Sequence, residues 1–152
     1  MIDLSIIVPA YNTERYIKQC LLSLCEQNYD LNKFEIIVVN DDSPDNLESI
    51  VIDFTKRYEN IKYIRQTNGR QGKARNTGIG VAKGRYITFV DSDDCWLNTE
   101  TISTFVSLAD KYNLDIISSS TYIHFSDNRQ PTTDNRQPTS KYMTEMNILV
   151  KK

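Results

Sequence analysis

The most informative segment is Phe34-Glu35-Ile36-Ile37-Val38-Val39-Asn40-Asp41-Asp42, an apolar, β-branched run that ends abruptly in polar residues. Runs of similar character lie at Leu4–Val8, Ile61–Ile64, Tyr86–Val90 and Asp115–Ser118. They are too apolar to face water on either side, which is typical of strands in a sheet that is covered on both faces. The sequence therefore predicts five strands.

The stretches between these runs carry apolar residues at helical spacing. The stripes are formed by Tyr16, Ile17, Cys20, Leu21 and Leu24, by Leu47, Ile50, Val51 and Phe54, and by Ile102, Phe105, Val106 and Ala109, and a shorter helix is predicted at Lys73–Lys83. Strands and helices therefore alternate, which predicts the α/β class with a mainly parallel sheet and helices on both faces. In such sheets ligands bind beyond the carboxyl ends of the strands, where the strand order reverses.

The composition limits the classes of function. The chain has 152 residues, of which 39% are hydrophobic and 25% charged, as in a globular protein with one substantial core. Its 18 Lys and Arg against 20 Asp and Glu give a formal charge of −2, so no basic field exists to bind nucleic acid. No apolar run approaches the roughly 20 residues that cross a bilayer, and the N-terminus lacks a secretory-signal pattern. A cytoplasmic protein is expected.

Cysteine and histidine usage narrows the chemistry further. Cys20, Cys25 and Cys95 are too few and too irregular for a disulfide framework or a zinc site, so free thiols are expected. Cys20 falls on the apolar side of its predicted helix and is expected to be buried. His124 is the only histidine, which disfavours Ser-His-Asp catalysis and imidazole metal sites.

An acidic segment, Asp91-Ser92-Asp93-Asp94, follows the strand at Tyr86–Val90. Mg²⁺ and Mn²⁺ prefer oxygen ligands and commonly take one or two carboxylates, while phosphate oxygens and water fill the other positions. The carboxyl end of a strand is a suitable place for such a site. A turn followed by a helix N-cap also favours Asp, and the residues alone leave both interpretations open.

A basic segment precedes the acidic one. Residues 65–85 contain no Asp or Glu but include Arg65, Arg70, Lys73, Arg75, Lys83 and Arg85. Cations beside carboxylates supply both requirements of a metal-bound diphosphate. A solvated helix face is the alternative explanation, and it accounts for Lys83 and Arg85 better than for Arg70 and Arg75.

Two further polar positions follow predicted strands. Asp41 can accept a hydrogen bond from a base N–H or a ribose hydroxyl, or it can simply hold a turn. Tyr11 can stack on a base or cover the edge of the sheet.

The character of the sequence changes after about residue 126. Residues 127–133 and 134–140 form a tandem repeat that begins Asp-Asn-Arg-Gln-Pro-Thr in both copies, which indicates a flexible loop or a local duplication. Residues 142–152 are interpreted as the start of another helix.

Four blocks, taken in order and spacing, resemble the nucleotide-sugar-binding part of family 2 glycosyltransferases with the GT-A fold. The blocks are Ser5-Ile6-Ile7-Val8-Pro9-Ala10-Tyr11-Asn12, Val39-Asn40-Asp41-Asp42-Ser43-Pro44-Asp45, Asn68-Gly69 with Gly72-Lys73-Ala74-Arg75-Asn76-Thr77-Gly78, and Ala82-Lys83-Gly84-Arg85-Tyr86-Ile87-Thr88-Phe89-Val90-Asp91-Ser92-Asp93-Asp94. The resemblance covers residues 4 to about 118. It implies an α/β, Rossmann-like GT-A domain in an inverting transferase that uses Mn²⁺ or Mg²⁺ and a nucleoside diphosphate sugar, usually UDP-linked.

The resemblance also implies roles for individual residues. Base and ribose contacts fall on Pro9, Tyr11 and Asp41, with Asp41 as the partner of the uracil N3–H. The acidic segment matches the family's Asp-x-Asp, in which Asp91 faces the ribose or a metal-bound water, Ser92 lies within the donor site and Asp93 ligates the metal. Base or diphosphate contacts fall on Arg70, Lys73 or Arg75. Family members usually have Asp at the position of Asn40 and Gly at that of Asp42.

An inverting transferase also needs a general base for the acceptor hydroxyl. In the family this base is an Asp or Glu in a C-terminal acceptor region. None of the downstream carboxylates falls in a recognisable acceptor motif; they are Asp110, Asp115, Asp127, Asp134 and Glu145. We therefore expect a nucleotide-sugar-binding domain at residues 1–126, and a polar repeat loop with the start of an incomplete acceptor region at 127–152, with the catalytic residue unassigned.

The expected acceptor is a saccharide or a lipid-linked sugar, and the latter implies peripheral association with the inner face of the membrane. The alternative function is a nucleotide-sugar-binding module, or a truncated fragment, without transfer activity. A sugar-phosphate nucleotidyltransferase would have a glycine-rich N-terminal loop, and Pro9-Ala10-Tyr11-Asn12 stands in its place.

Overall fold

The computed structural model describes residues 1–122 and 144–151 as four helices and six strands. In chain order they are β1 (Leu4–Ala10), α1 (Glu14–Cys25), β2 (Phe34–Asn40), α2 (Leu47–Thr55), β3 (Ile61–Arg65), α3 (Arg70–Val81), β4 (Tyr86–Phe89), α4 (Thr101–Tyr112), β5 (Ile116–Tyr122) and β6 (Thr144–Lys151). The α/β class is confirmed, and each of the five predicted strands is present within a residue or a few of its expected bounds.

The sheet has the strand order β3-β2-β1-β4-β6-β5. The first four strands of the chain run parallel to one another, with Ile6 in register with Ile36 on one side and with Thr88 on the other. Only β6 is antiparallel, to both β4 and β5. The sheet is therefore mainly parallel. The chain adds β2 and β3 on one side of β1 and then β4 on its other side, so the strand order reverses between β1 and β4.

Helices cover both faces of the sheet, as predicted. Alternate residues of β1 point to opposite sides, so Ile6 belongs to the core cluster that includes residues of α1, α2 and α4, while Ile7 belongs to the cluster that includes Ala74 of α3. Every residue of β1 and of β2 is buried. This two-sided burial explains why these strands read as nearly continuous apolar runs.

The interpretation of residues 142–152 as a helix is wrong, because β6 is a strand that lies between β4 and β5. Leu149 is fully buried and pairs with Thr88 on one side and Ile117 on the other. A short apolar run has no clear periodicity, so the open edges of β4 and β5 determine its conformation. The tandem repeat at 127–140 and His124 lie outside the described residues.

The expectations for the cysteines are confirmed. All three are free, and Cys20 is 1% exposed on the core side of α1. Burial raises the pKa of the Cys20 thiol far above its ordinary value, and the nearby Asp94 raises it further, so this thiol stays protonated. Among the described residues, no helix is both long and apolar enough to cross a membrane.

A buried carboxylate organises the edge of the sheet at the amino ends of the strands. Glu35 is 3% exposed, and its Oε1 accepts hydrogen bonds from Ser5 Oγ at 2.7 Å and from the backbone N–H of Lys83 at 2.6 Å. Its Oε2 accepts one from Lys62 Nζ. Burial raises the pKa of this carboxyl, but the three hydrogen bonds and the positive charge of Lys62 outweigh burial, and the net pKa is lowered.

Two glycines of α3 provide a matched test of how this helix packs. A Cβ added at Gly78 would lie 2.4 Å from Cγ2 of the fully buried Ile7, whereas one added at Gly80 would meet nothing within 4 Å. We expect Gly78→Ala to lower the free energy of unfolding by about 1–3 kcal/mol through overpacking. Gly80→Ala should raise it by about 0.5–1 kcal/mol because Ala is the better helix former. Urea unfolding measures both, and equal effects would contradict this packing.

The Glu35 network predicts a pH dependence of stability. Because the pKa of Glu35 is lowered in the folded state, its ionised form stabilises the protein above the unfolded-state pKa, and that contribution is lost as the pH falls through the folded-state pKa. Glu35→Gln should lower the free energy of unfolding at pH 7 by about 1–3 kcal/mol. The difference from wild type should shrink as the pH falls into the acidic range in which Glu35 becomes protonated in the folded state. A difference that stays constant with pH would refute this role of the charge.

Candidate active site

The candidate site lies at the carboxyl edge of the parallel strands. The segments that follow β1, β2, β3 and β4 all emerge at this edge, and those after β1 and β4 flank the reversal in strand order. Ligands of open α/β sheets bind at this point. Each of the predicted donor-site residues lies in or beside one of these segments.

The segment after β1 presents an aromatic ring. Pro9 is a buried residue of β1 in register with Val39, whereas Tyr11 is 51% exposed. Asn12 adopts a left-handed conformation with φ 55°, and its N–H donates to Ser43 Oγ at 2.7 Å. This turn fixes the backbone and leaves the ring of Tyr11 accessible to a ligand.

The segment after β2 accommodates its two unusual residues. Asn40 is 1% exposed, donates through Nδ2 to the Tyr63 hydroxyl at 2.8 Å and accepts from the N–H of Ser43 at 2.7 Å. Asp42 has φ 61°, a conformation that favours glycine and that Asp tolerates better than most residues. Its Oδ1 accepts a hydrogen bond from Arg65 at 2.9 Å. The turn therefore forms with Asp where family members usually have Gly.

A reciprocal contact joins the segments after β1 and β2. Asp45 Oδ2 accepts from the N–H of Glu14 at 2.8 Å, and Glu14 Oε2 accepts from the N–H of Asn46 at 2.7 Å. Partial burial raises the pKa of Asp45, but hydrogen bonds from Ser43 and from backbone N–H groups lower it by a larger amount. The net pKa is therefore lowered. The starts of α1 and α2 are thus held in a fixed relation.

Asp41 holds the segment after β3. It is 3% exposed, and its Oδ1 accepts from Gln66 Nε2 at 2.6 Å and from the N–H of Gly69 at 2.9 Å. The backbone carbonyl of Asp41 accepts from Asn68 Nδ2 at 3.0 Å. Among the residues that the structure describes, Oδ2 makes only a longer contact, 3.2 Å, with the same Gly69 N–H. Asp41 therefore positions residues 66–69 through one oxygen and retains acceptor capacity on the other.

The basic segment divides into two groups. Arg65 pairs with Asp42 and Glu48, and Arg85 pairs with Asp3 and Asp110, so their charges are neutralised locally. The remaining cations of α3 lie in its first two turns, near the carboxyl edge; they are Arg70, Lys73 and Arg75. Lys83 is exposed beyond the other end of α3, as expected for a solvated position. Arg75 is itself paired with Asp91, so the positive charge without a carboxylate partner at this edge comes from Arg70 and Lys73 among the described residues.

The start of α3 has an unusual backbone. Arg70 is exposed and has φ 67°, in the left-handed region. Lys73 Nζ donates to the Thr67 carbonyl at 3.3 Å, and no acidic residue lies in the first turn. A helix N-terminus with cations and without carboxylates favours anions.

Asp91 connects the segment after β4 to α3. Its Oδ1 accepts from Arg75 NH2 and from Gln71 Nε2, both at 2.9 Å. The guanidinium of Arg75 also lies 5.5 Å over the ring of Phe89. The Nε of Arg75 is buried and has no hydrogen-bond partner among the described residues. The basic and acidic segments therefore meet directly, at Arg75 and Asp91.

Ser92 has a different environment from its neighbours. It is 4% exposed, and its Oγ accepts from Thr13 Oγ1 at 2.9 Å. Asp93 is exposed, and the turn closes through the Asp94 N–H, which donates to the Asp91 carbonyl at 2.9 Å. The same carbonyl is 3.7 Å from the Cys20 thiol. Ser92 thus ties the segments after β1 and β4 together, and the carboxylates on either side of it face outward.

The carboxylates of Asp91 and Asp93 are suited to a metal ion whose other ligands come from a bound molecule. Within residues 1–122 and 144–151, no group of three or more His, Cys, Asp or Glu side chains is arranged to hold a metal ion alone. Asp91 and Asp93 are accessible oxygen donors, beside the cations of α3. Mg²⁺ or Mn²⁺ takes one or two carboxylates when phosphate oxygens complete its coordination, so the donor set fits such an ion.

Two of the candidate bases lie away from this edge. Asp110 accepts from Arg85 and from the Tyr86 hydroxyl near the amino end of β4, and Asp115 pairs with Lys151. Asp127 and Asp134 fall outside the described residues. Neither Asp110 nor Asp115 is therefore placed at the site.

Sequence reasoning missed the residues that hold the predicted ones in place. These are Thr13, Glu14, Gln66 and Gln71. Gln66 directly follows β3 and Gln71 precedes Gly72, while Thr13 and Glu14 come three and four residues after β1, so closeness to a strand end or a glycine was the one local signal that could have found them. Their partners, however, come from other segments of the chain, and local patterns carry no information about such pairing.

Comparison with known proteins gives a consistent result. Residues 5–151 match the Glycosyl transferase family 2. The chain is 43% identical over 125 residues to an uncharacterised glycosyltransferase of Bacillus subtilis, EpsJ. The matched region covers 82% of this chain and 36% of EpsJ. The chain thus spans well under half the length of that relative.

Two solved structures share the fold. The Staphylococcus aureus TarS 1-349 complex with UDP-GlcNAc has a TM-score of 0.71 and 37% identity, and the match covers 76% of this chain and 33% of TarS 1-349. The mannosyltransferase PcManGT from Pyrobaculum calidifontis, in complex with GDP-Man and Mn²⁺, has a TM-score of 0.69 and 26% identity over 74% of this chain and 34% of its own. With a GT-A sheet and a matching family profile over nearly its whole length, this chain belongs to glycosyltransferase family 2.

Proposed function

We propose that this chain binds a UDP-linked sugar with Mn²⁺ or Mg²⁺ and carries the donor half of an inverting glycosyl transfer. The observation that carries the proposal is the direct meeting of Arg75 and Asp91 at the reversal of strand order, beside the exposed Asp93. Carboxylates for a cation and cations for a diphosphate are thereby brought to one edge of the sheet.

The base and ribose are proposed to lie against the segments after β1 and β2. The exposed ring of Tyr11 offers a stacking surface, and Pro9 lies in the strand directly before it. Asp41 Oδ1 is already engaged by Gln66 and Gly69, so Oδ2 is the oxygen that would accept the uracil N3–H. This assignment suits a uracil better than an adenine, which offers no ring N–H at the corresponding edge.

The diphosphate is proposed to lie between the start of α3 and the acidic segment. Arg70 and Lys73 lie in the first turn of α3, where the N-terminus of the helix favours negative charge. Asp93 is the proposed metal ligand, and Asp91 is proposed to face the ribose or a metal-bound water. A bound cation would stabilise the charge that develops on the leaving diphosphate.

Inversion requires a base on the face of the sugar opposite the leaving group. We propose that residues 1–126 hold the donor, and that 127–152 lead toward an acceptor region that supplies this base. A saccharide or a lipid-linked sugar is the proposed acceptor, as in polysaccharide assembly. A lipid-linked acceptor would place the protein at the cytoplasmic face of a membrane.

Binding without transfer is the second candidate, since two of the carboxylates considered as the base, Asp110 and Asp115, are paired with cations away from the site. Slow hydrolysis of a UDP-sugar would indicate an active centre. Binding with no turnover would indicate a module that only recognises the donor.

Calorimetric titration of this chain with UDP, and with GDP and ADP for comparison, tests the proposed donor. We expect UDP to bind at least tenfold more tightly than ADP when Mn²⁺ is present, because adenine has no ring N–H for the available oxygen of Asp41, whereas GDP, whose guanine has one, tests whether the site selects the smaller base. EDTA should weaken the binding. If none of the three nucleotides binds, the proposed donor site is incorrect.

The metal ligand can be tested separately. Asp93→Ala should weaken UDP binding by about tenfold or more in Mn²⁺ and far less in EDTA, since the variant removes an oxygen ligand of the cation. Asp53→Ala is a matched control, because Asp53 is an exposed residue of α2 that pairs with Lys56 and lies outside the site. Equal losses in both buffers would make Asp93 a structural residue of the turn.

A further inference from the structure

Gln71 contacts the acidic segment, although no pattern in the sequence assigns it a role. Its Nε2 donates to Asp91 Oδ1 at 2.9 Å, the same oxygen that accepts from Arg75. Gln71 and Arg75 are four residues apart in α3, so their side chains lie on one face of the helix. Asp91 is therefore held from one side by two donors on successive turns.

The two donors differ in chemistry. Arg75 is a cation whose guanidinium is restrained over the Phe89 ring, so it both orients Asp91 and competes electrostatically with any other cation that approaches. Gln71 is neutral and exposed. Its carboxamide can orient the carboxylate without opposing the approach of a divalent ion.

Both hydrogen bonds go to Oδ1, and Oδ2 of Asp91 accepts none from a residue that the structure describes. A carboxylate fixed through one oxygen has its other oxygen in a defined direction at a small entropic cost. Groups that orient a metal-associated carboxylate in this way affect metal affinity although they do not touch the metal.

Resting on the proposed function, we infer that Gln71 is a positioning residue for Asp91, which it holds through Oδ1 so that Oδ2 is presented to the complex of cation and nucleoside diphosphate. Arg75 donates to the same oxygen, but its positive charge opposes the approach of the cation. The neutral Gln71 carboxamide holds the orientation of Asp91 without that opposition.

The test is calorimetric titration of UDP into the full 152-residue chain, in Mn²⁺ and in EDTA, with Gln71→Met as the principal variant. Met keeps the length and the helix propensity of Gln but removes the hydrogen bond. We expect about a tenfold weaker UDP affinity in Mn²⁺ and an unchanged affinity in EDTA. Gln19→Met is the control, since Gln19 is an exposed helical residue whose amide reaches Cys95 instead of Asp91.

A second variant tests the need for a neutral donor. Gln71→Lys retains a donor near Asp91 but adds a positive charge that opposes the cation. The attraction of that charge to the diphosphate acts in both buffers, so the ratio of the UDP affinities in Mn²⁺ and in EDTA is compared, and it should fall at least as much as in Gln71→Met. A wild-type ratio in either variant would overturn the role of Gln71. If the wild-type chain itself fails to bind UDP in Mn²⁺, the proposed function falls, and this role falls with it.

Discussion

Parallel pairing of β1 with β2 on one side and β4 on the other is the constraint on which the rest of the structure depends. β1 is buried along its whole length. A shift of its register by one residue would move every side chain to the opposite face of the sheet, so the pairing is strongly specified. Because all three strands run in one direction, their carboxyl ends meet at one edge. The polar residues that follow them are brought together as a geometric result of this pairing.

The site is then made rigid by hydrogen bonds between segments rather than by the strands themselves. Asp41 joins the segments after β2 and β3, Thr13 and Ser92 join those after β1 and β4, and Asp91 joins β4 to α3. Asp41 and Ser92 are buried and already hydrogen-bonded before any ligand binds. A preorganised site of this kind spends less of its binding free energy on ordering side chains.

The alternating pattern of strands and helices, and the edge at which the site lies, were predictable because both follow from periodicity and from the chirality of parallel sheets. β6 was not predictable, since the run from Met146 to Val150 is too short to show a period. Its conformation is determined by pairing with the edges of β4 and β5. The start of α3 at Arg70 was also missed, because its first turn carries no apolar stripe. Arg65 and Arg85 could be recognised as charged but not as locally neutralised, because Glu48, Asp3 and Asp110 lie far from them in sequence.

The placement of β6 also has a consequence for synthesis of the chain. β4 pairs with β1 on one side, but on its other side it waits for a strand that lies near residue 150, so Thr88 meets Leu149 only after nearly the whole sequence printed here has left the ribosome. Until then, β4 presents unpaired backbone N–H and C=O groups to its surroundings. A nascent chain in this state has an open strand edge of the kind that recruits chaperones or associates with other chains, and late arrival of β6 closes it.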